Sequence, residues 1–253
     1  RGLSAHAGLL AVAWGGLAFA VGFRQAGGAD LHMAAAVAAA AVLLISTPRP
    51  ALDWQVAIVA AFAACSKIEG VVFAVLLIAL HAGRRAAAER PWWRAGTTAA
   101  LRAGAVPGLL VVAWWWQVSS LGLFQATNSG SLDLGRLAVV LPELARALSV
   151  RPFYGLAWGL ALLPVLLLWP RTRVAALLIS ALGGFYVYVY LSAPVDTRLY
   201  VQTSASRLAF HLTPTVIALL VARLDAWARA GEADASSEGS APVRPETATH
   251  VPG

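Results

Sequence analysis

Long runs of Ala, Val, Leu and Ile alternate along this chain with short polar breaks. Eight apolar spans stand out, at about 5–23, 31–47, 52–66, 69–82, 104–118, 153–169, 173–191 and 208–223. A membrane-crossing helix needs roughly 20 apolar residues, and shorter ones serve when packed inside protein. Lipid offers no partner to an open sheet edge, so spans of this composition predict helices. The third and fourth spans are short and are split by "SKIEG", which predicts a helical hairpin. The reading is an all-α polytopic transmembrane bundle of about eight helices.

Between spans five and six lies a long break, 119–152. It contains "LDLGRLAVVLPELARAL", whose apolar residues recur every three or four positions with Asp133, Arg136, Glu143 and Arg146 between them. That spacing predicts an amphipathic helix lying on a membrane surface. The end of the chain, 224–253, is rich in Ala, Ser, Pro and Glu and is expected to be a disordered tail. The membrane domain is therefore placed at 1–223.

Composition agrees with the pattern. Charged residues make up 12% of the chain and hydrophobic ones 59%, where a soluble domain carries about 25% charged residues. The net charge of +7 comes almost entirely from arginine. No basic stripe with interleaved aromatics appears, so no nucleic-acid partner is expected. Twelve arginines fall in the even-numbered breaks and at the two ends, against seven basic residues in the odd-numbered breaks. The positive-inside rule then puts both termini in the cytoplasm and "SKIEG" outside. Trp92, Trp93, Trp114, Trp115, Trp116 and Trp169 lie near span ends, as interfacial aromatics do. The single cysteine, Cys65, excludes an internal disulfide. The dominance of Arg over Lys suggests a GC-rich bacterial source.

On this topology Asp30, Lys67, Glu69, Asp196, Arg198 and Arg207 all sit at span ends on the outer side. Charges at the membrane boundary are costly and usually pair or serve a site. Lys67 and Arg207 suit a phosphate. Asp30 and Glu69 suit a metal or a hydroxyl, and Asp30 with His32 has the look of a metal pair. Each also has a plainer reading. Lys67 can snorkel to headgroups, Glu69 and Asp30 can cap helices, and Arg198 and Arg207 can anchor to lipid. His211 shares a helix face with Arg207 and reads as a buried, hydrogen-bonded histidine.

Three motifs in order carry a resemblance: "GADLHMA", "SKIEG" and "TSASRLAFHLTP". They resemble the patterns "YADLPLA", "TKNEG" and "TSADRLLLQLLP" of membrane glycosyltransferases of the GT-C type, in the group of the protein mannosyltransferases and aminoarabinose transferases. The likeness runs from about residue 5 to 222. Here His32 replaces a proline and Ile68 a common asparagine. The resemblance implies inverting sugar transfer from a polyprenyl-phosphate-linked donor to a glycan, lipid or protein acceptor, at the outer face of a bacterial cytoplasmic membrane. It implies donor-phosphate binding by Lys67 and Arg207, and catalytic support from Asp30 and Glu69. Substrate contacts fall to Asp196, Arg198 and His32, and a divalent ion (Mg or Mn) on Asp30 is a further implication. The family's principal base stands in a first outer loop that precedes these motifs, so the chain, which starts at Arg1, is expected to lack its upstream part. Two other functions fit the pattern: a lipid or solute transporter or flippase, and a non-catalytic membrane subunit. Transport predicts ionisable residues near mid-membrane, and the span centres hold few.

Overall fold

The computed structural model describes residues 28–122, 131–149, 161 and 163–238. The expected first span, 5–23, and most of the sixth lie outside them. The described chain is all-α, with eight helices: α1 Gly28–Ile45, α2 Leu52–Ser66, α3 Ile68–Ala88, α4 Trp92–Ser120, α5 Leu137–Ser149, α6 Leu163–Leu168, α7 Arg173–Ser192 and α8 Thr197–Glu238. A 3-10 turn, Leu134–Arg136, leads into α5.

Four helices are long and apolar enough to cross a membrane: α3, α4, α7 and the Thr197–Ala228 part of α8. Two shorter apolar helices, α1 and α2, pack among them. Their outward faces are apolar too. Trp54, Ile58 and Phe62 on α2 and Leu101, Leu109, Val112 and Trp116 on α4 are exposed. Such faces are unfavourable in water and ordinary against lipid. The chain is a membrane protein by this architecture.

The hairpin is set by one residue. Lys67 adopts an extended conformation (φ −157°, ψ 162°), which ends α2 and starts α3. Small side chains then let the two helices close. Ala60, Ala63 and Ala74 are buried, and Gly70 lies against the Ala63 backbone. α4 packs on both arms. On the other side, α1 joins α2 to α7 and α8. Met33, Val37, Leu44, Phe73, Leu77, Leu178, Leu182 and Val216 form the core between these layers.

Two boundaries differ from expectation. The last helix starts at Thr197 rather than near 208. Asp196 accepts a hydrogen bond from the Leu199 amide (2.9 Å), which supplies the N-cap. Val201, Ala205, Ala209 and Leu212 then recur on one buried face. The same helix continues to Glu238, so the Ala-rich stretch from 225 to 238 is helix where a disordered tail was expected. The amphipathic segment does form a helix, α5, and it packs on α8. Its Glu143, read as part of the polar face, is buried there.

Candidate functional site

Sequence order and chain direction put the start of α1, the α2–α3 tip, the end of α7 and the first half of α8 at one end of the bundle. Asp30 stands in the first turn of α1, where the helix dipole favours a carboxylate. It is almost wholly buried (1% exposed), and three donors from distant segments converge on it. The Lys67 ammonium from the hairpin tip bonds Oδ1. His211 Nε2 lies 3.0 Å from the same oxygen. Arg207 Nε lies 3.2 Å from Oδ2. Arg207 and His211 are one turn apart on α8, which is why one helix supplies both.

The histidine has a second partner. The Tyr186 hydroxyl of α7 lies 2.7 Å from His211 Nδ1. An ionised carboxylate only accepts, so Nε2 carries the hydrogen toward Asp30 and Nδ1 accepts from the tyrosine. The result is a continuous chain of Tyr186, His211, Asp30 and Lys67. Lys67 sits in the break between two apolar helices. Burial pushes its ammonium below the ordinary lysine range, the Arg207 charge adds to this, and Glu69 pulls it back up.

Two cavities flank this chain. One of about 220 Å³ lies between the hairpin tip and α4, lined by Cys65, Ser66, Lys67, Val71, Leu110 and Trp114. The other, about 160 Å³ and almost entirely apolar, is lined by Leu144, Tyr186, Tyr190, Ala205, Leu208 and Leu212. Lys67 belongs to the first and Tyr186 to the second.

Of the residues singled out from the sequence, Asp30, Lys67, Arg207 and His211 meet, and His211 is buried and hydrogen-bonded as expected. Glu69, in the first turn of α3 and half-buried, stands beside them without entering their hydrogen bonds. The other three do not join the cluster. His32 points outward and packs edge-on against Phe62 (5.2 Å between ring centres). Asp196 caps α8. Arg198 pairs with Glu143 at 3.0 Å. A divalent ion on Asp30 fits poorly, because its carboxylate already holds two cations and an imidazole. Among the described residues no group of three His, Cys, Asp or Glu side chains converges on one point.

A second polar cluster was not anticipated. At the opposite end of the hairpin, Asp53 Oδ1 lies 2.8 Å from both His81 Nε2 and Arg85 Nη1. Arg85 also bonds Glu89 through two nitrogens, at 2.8 and 2.9 Å. A signal for it existed. Asp53 and His81 are equidistant from Lys67 in sequence, and residues equidistant from a hairpin tip face each other. Nothing comparable links Tyr186 to His211, which only the folded bundle joins.

Compared with protein-family models, curated proteins and solved structures, the chain matches none of them.

Proposed function

We propose that this chain is a membrane glycosyltransferase, moving a sugar from a polyprenyl-phosphate-linked donor to an acceptor hydroxyl at the outer face of a bacterial plasma membrane. The observation that carries the proposal is the convergence of three separated motifs on one buried carboxylate, between two cavities, at one end of a membrane bundle. Arginine placement supports the orientation. Arg49, Arg84, Arg85, Arg90 and Arg94 crowd the opposite end, on the breaks expected to be cytoplasmic.

The chemistry follows from the cluster. When the anomeric carbon–oxygen bond breaks, the electron pair goes to the departing phosphate. Cations held at that oxygen stabilise the growing charge. Lys67 and Arg207 are held by Asp30 at the membrane boundary, and Arg207 keeps 45% of its side chain exposed. The acceptor oxygen bonds to the anomeric carbon from the opposite side, and its proton passes to a carboxylate. Asp30 is committed to the cations, which makes it a support. Glu69 is a nearby carboxylate outside that network and the candidate to take the proton.

The full-length protein in proteoliposomes, given a polyprenyl-phosphate sugar, should consume the donor, and Lys67→Ala and Asp30→Ala should abolish consumption without loss of membrane insertion. Full transfer by both variants would refute the assignment. Uptake of a solute without donor consumption would move the protein to the transport class. Neither activity, with loss of stability in both variants, would make the cluster a structural brace.

A further inference from the structure

We infer that His211 is the positioning residue of this site: a neutral imidazole, fixed by Tyr186, that holds the Asp30 carboxylate where Lys67 needs it. The inference rests on the transferase reading for its consequence in catalysis, but its structural content stands separately.

Both ring nitrogens of His211 are used, and each reaches a different helix: Asp30 on α1 and Tyr186 on α7. The ring is fully buried, so water is not an alternative partner for either nitrogen. Tyr186 is itself buried and hydrogen-bonded here, which makes it a fixed donor. A fixed donor at Nδ1 leaves Nε2–H as the form that faces Asp30. Lys67 and His211 share Oδ1, while Arg207 takes Oδ2 from the exposed side. Of these three donors His211 is the fully buried one, and it draws Asp30 inward. Without it, the inward pull on Oδ1 is lost, the carboxylate shifts toward Arg207, and the Lys67 contact loosens. A misplacement of this kind near reacting groups costs about 10²-fold in rate.

Lys67 is the only lysine in the chain, so its acylation by an N-hydroxysuccinimide ester, read by mass spectrometry on its peptide, reports the Asp30 contact directly. Asp30→Asn sets the fast limit. His211→Leu should raise the acylation rate toward that limit, and should add nothing in the Asp30→Asn background. His211→Gln presents an acceptor oxygen and a donor nitrogen in one plane, and should restore the wild-type rate. In the transfer assay the same pair should split, with turnover about 10²-fold lower for Leu and near normal for Gln. An acylation rate in His211→Leu equal to or below wild type, while Asp30→Asn is fast, would overturn the inference. So would equal effects of Leu and Gln. If the wild-type protein shows no transfer, the acylation series still decides the positioning role, and only the transferase reading falls.

Discussion

Adding one methyl group at Gly70 tests how tightly the Lys67 hairpin is built. A Cβ at this position would stand 2.5 Å from the Ala63 carbonyl carbon, closer still to its oxygen, and 3.2 Å from the Ala64 amide nitrogen. Carbon atoms meet comfortably at about 3.5 Å or more, so the new atom is roughly 1 Å too close to main chain. Backbone cannot rotate away as a side chain can. The two helices must part near their tip, three residues from Lys67. Overpacking of this kind costs about 1–3 kcal/mol, occasionally more. The same helix carries its own control. Gly83 is exposed and has nothing within 4 Å of its would-be Cβ, so Gly83→Ala should be neutral or stabilising by up to about 1 kcal/mol. Thermal unfolding of both variants in one detergent gives the comparison. A difference of about 3 kcal/mol corresponds to roughly two decades in the folding equilibrium. Gly70→Ala should also loosen the Lys67–Asp30 contact and quicken Lys67 acylation. Two variants of equal stability, with Lys67 reactivity unchanged, would show that Gly70 does not lie against the Ala63 backbone.

Asp53→Ala removes the counter-ion from Arg85, which is 3% exposed, and stripping one partner from a buried pair costs about 3–5 kcal/mol. Glu89 still holds Arg85, so the lower end is expected in a denaturation midpoint, and a loss too small to measure would deny the cluster its role at the hairpin base. Glu143→Ala should release α5 from α8, because Glu143 takes bonds from Arg198 (3.0 Å) and Gln202 (3.0 Å). Those partners reach water when freed, so the net loss is about 1.5 kcal/mol, or roughly tenfold faster hydrogen exchange across residues 137–149. Unchanged exchange there would mean that apolar contacts alone hold the helix.

The hairpin was legible because a single polar break in an apolar run has only one helical interpretation. The meeting of Asp30, Lys67 and Arg207 was legible for a related reason. Counting crossings assigns residues to one end of a bundle without any knowledge of how the helices pack. What could not be read was which charges at that end touch. Asp196 and Arg198 share the end with Asp30, yet α8 starts eleven residues earlier than its apolar run suggests, and this turns both into parts of a helix start and its brace. His32 follows Asp30 by two positions, which on a helix points it to a different face. Glu143 shows the limit of amphipathic reasoning. Its neighbours in sequence mark a polar stripe, but α8 supplies a guanidinium and an amide, and a buried carboxylate with two such donors is satisfied.

The two carboxylate clusters of the hairpin invite the same structural explanation, and the cations that each carboxylate hydrogen-bonds separate them. At the Asp53 end, the carboxylate, its histidine and Arg85 are sealed from solvent, and the exposed Arg102 lies 3.8 Å from Asp53 Oδ2. Such a cluster can hold helices together, and its exposed cation, Arg102, stands beyond hydrogen-bond reach of the carboxylate. At the Asp30 end the carboxylate and histidine are sealed in the same way, while the cations are not. Lys67 retains 15% and Arg207 45% of side-chain exposure, and Lys67 lines a cavity. A brace is best served by burying all partners, because water and salt weaken an exposed pair. A site for an anionic leaving group needs the opposite arrangement: a buried anion to hold the cations and cations that still face outward. The Asp30 cluster has that arrangement through two hydrogen-bonded cations that keep some exposure, whereas the guanidinium hydrogen-bonded to Asp53 is the buried Arg85.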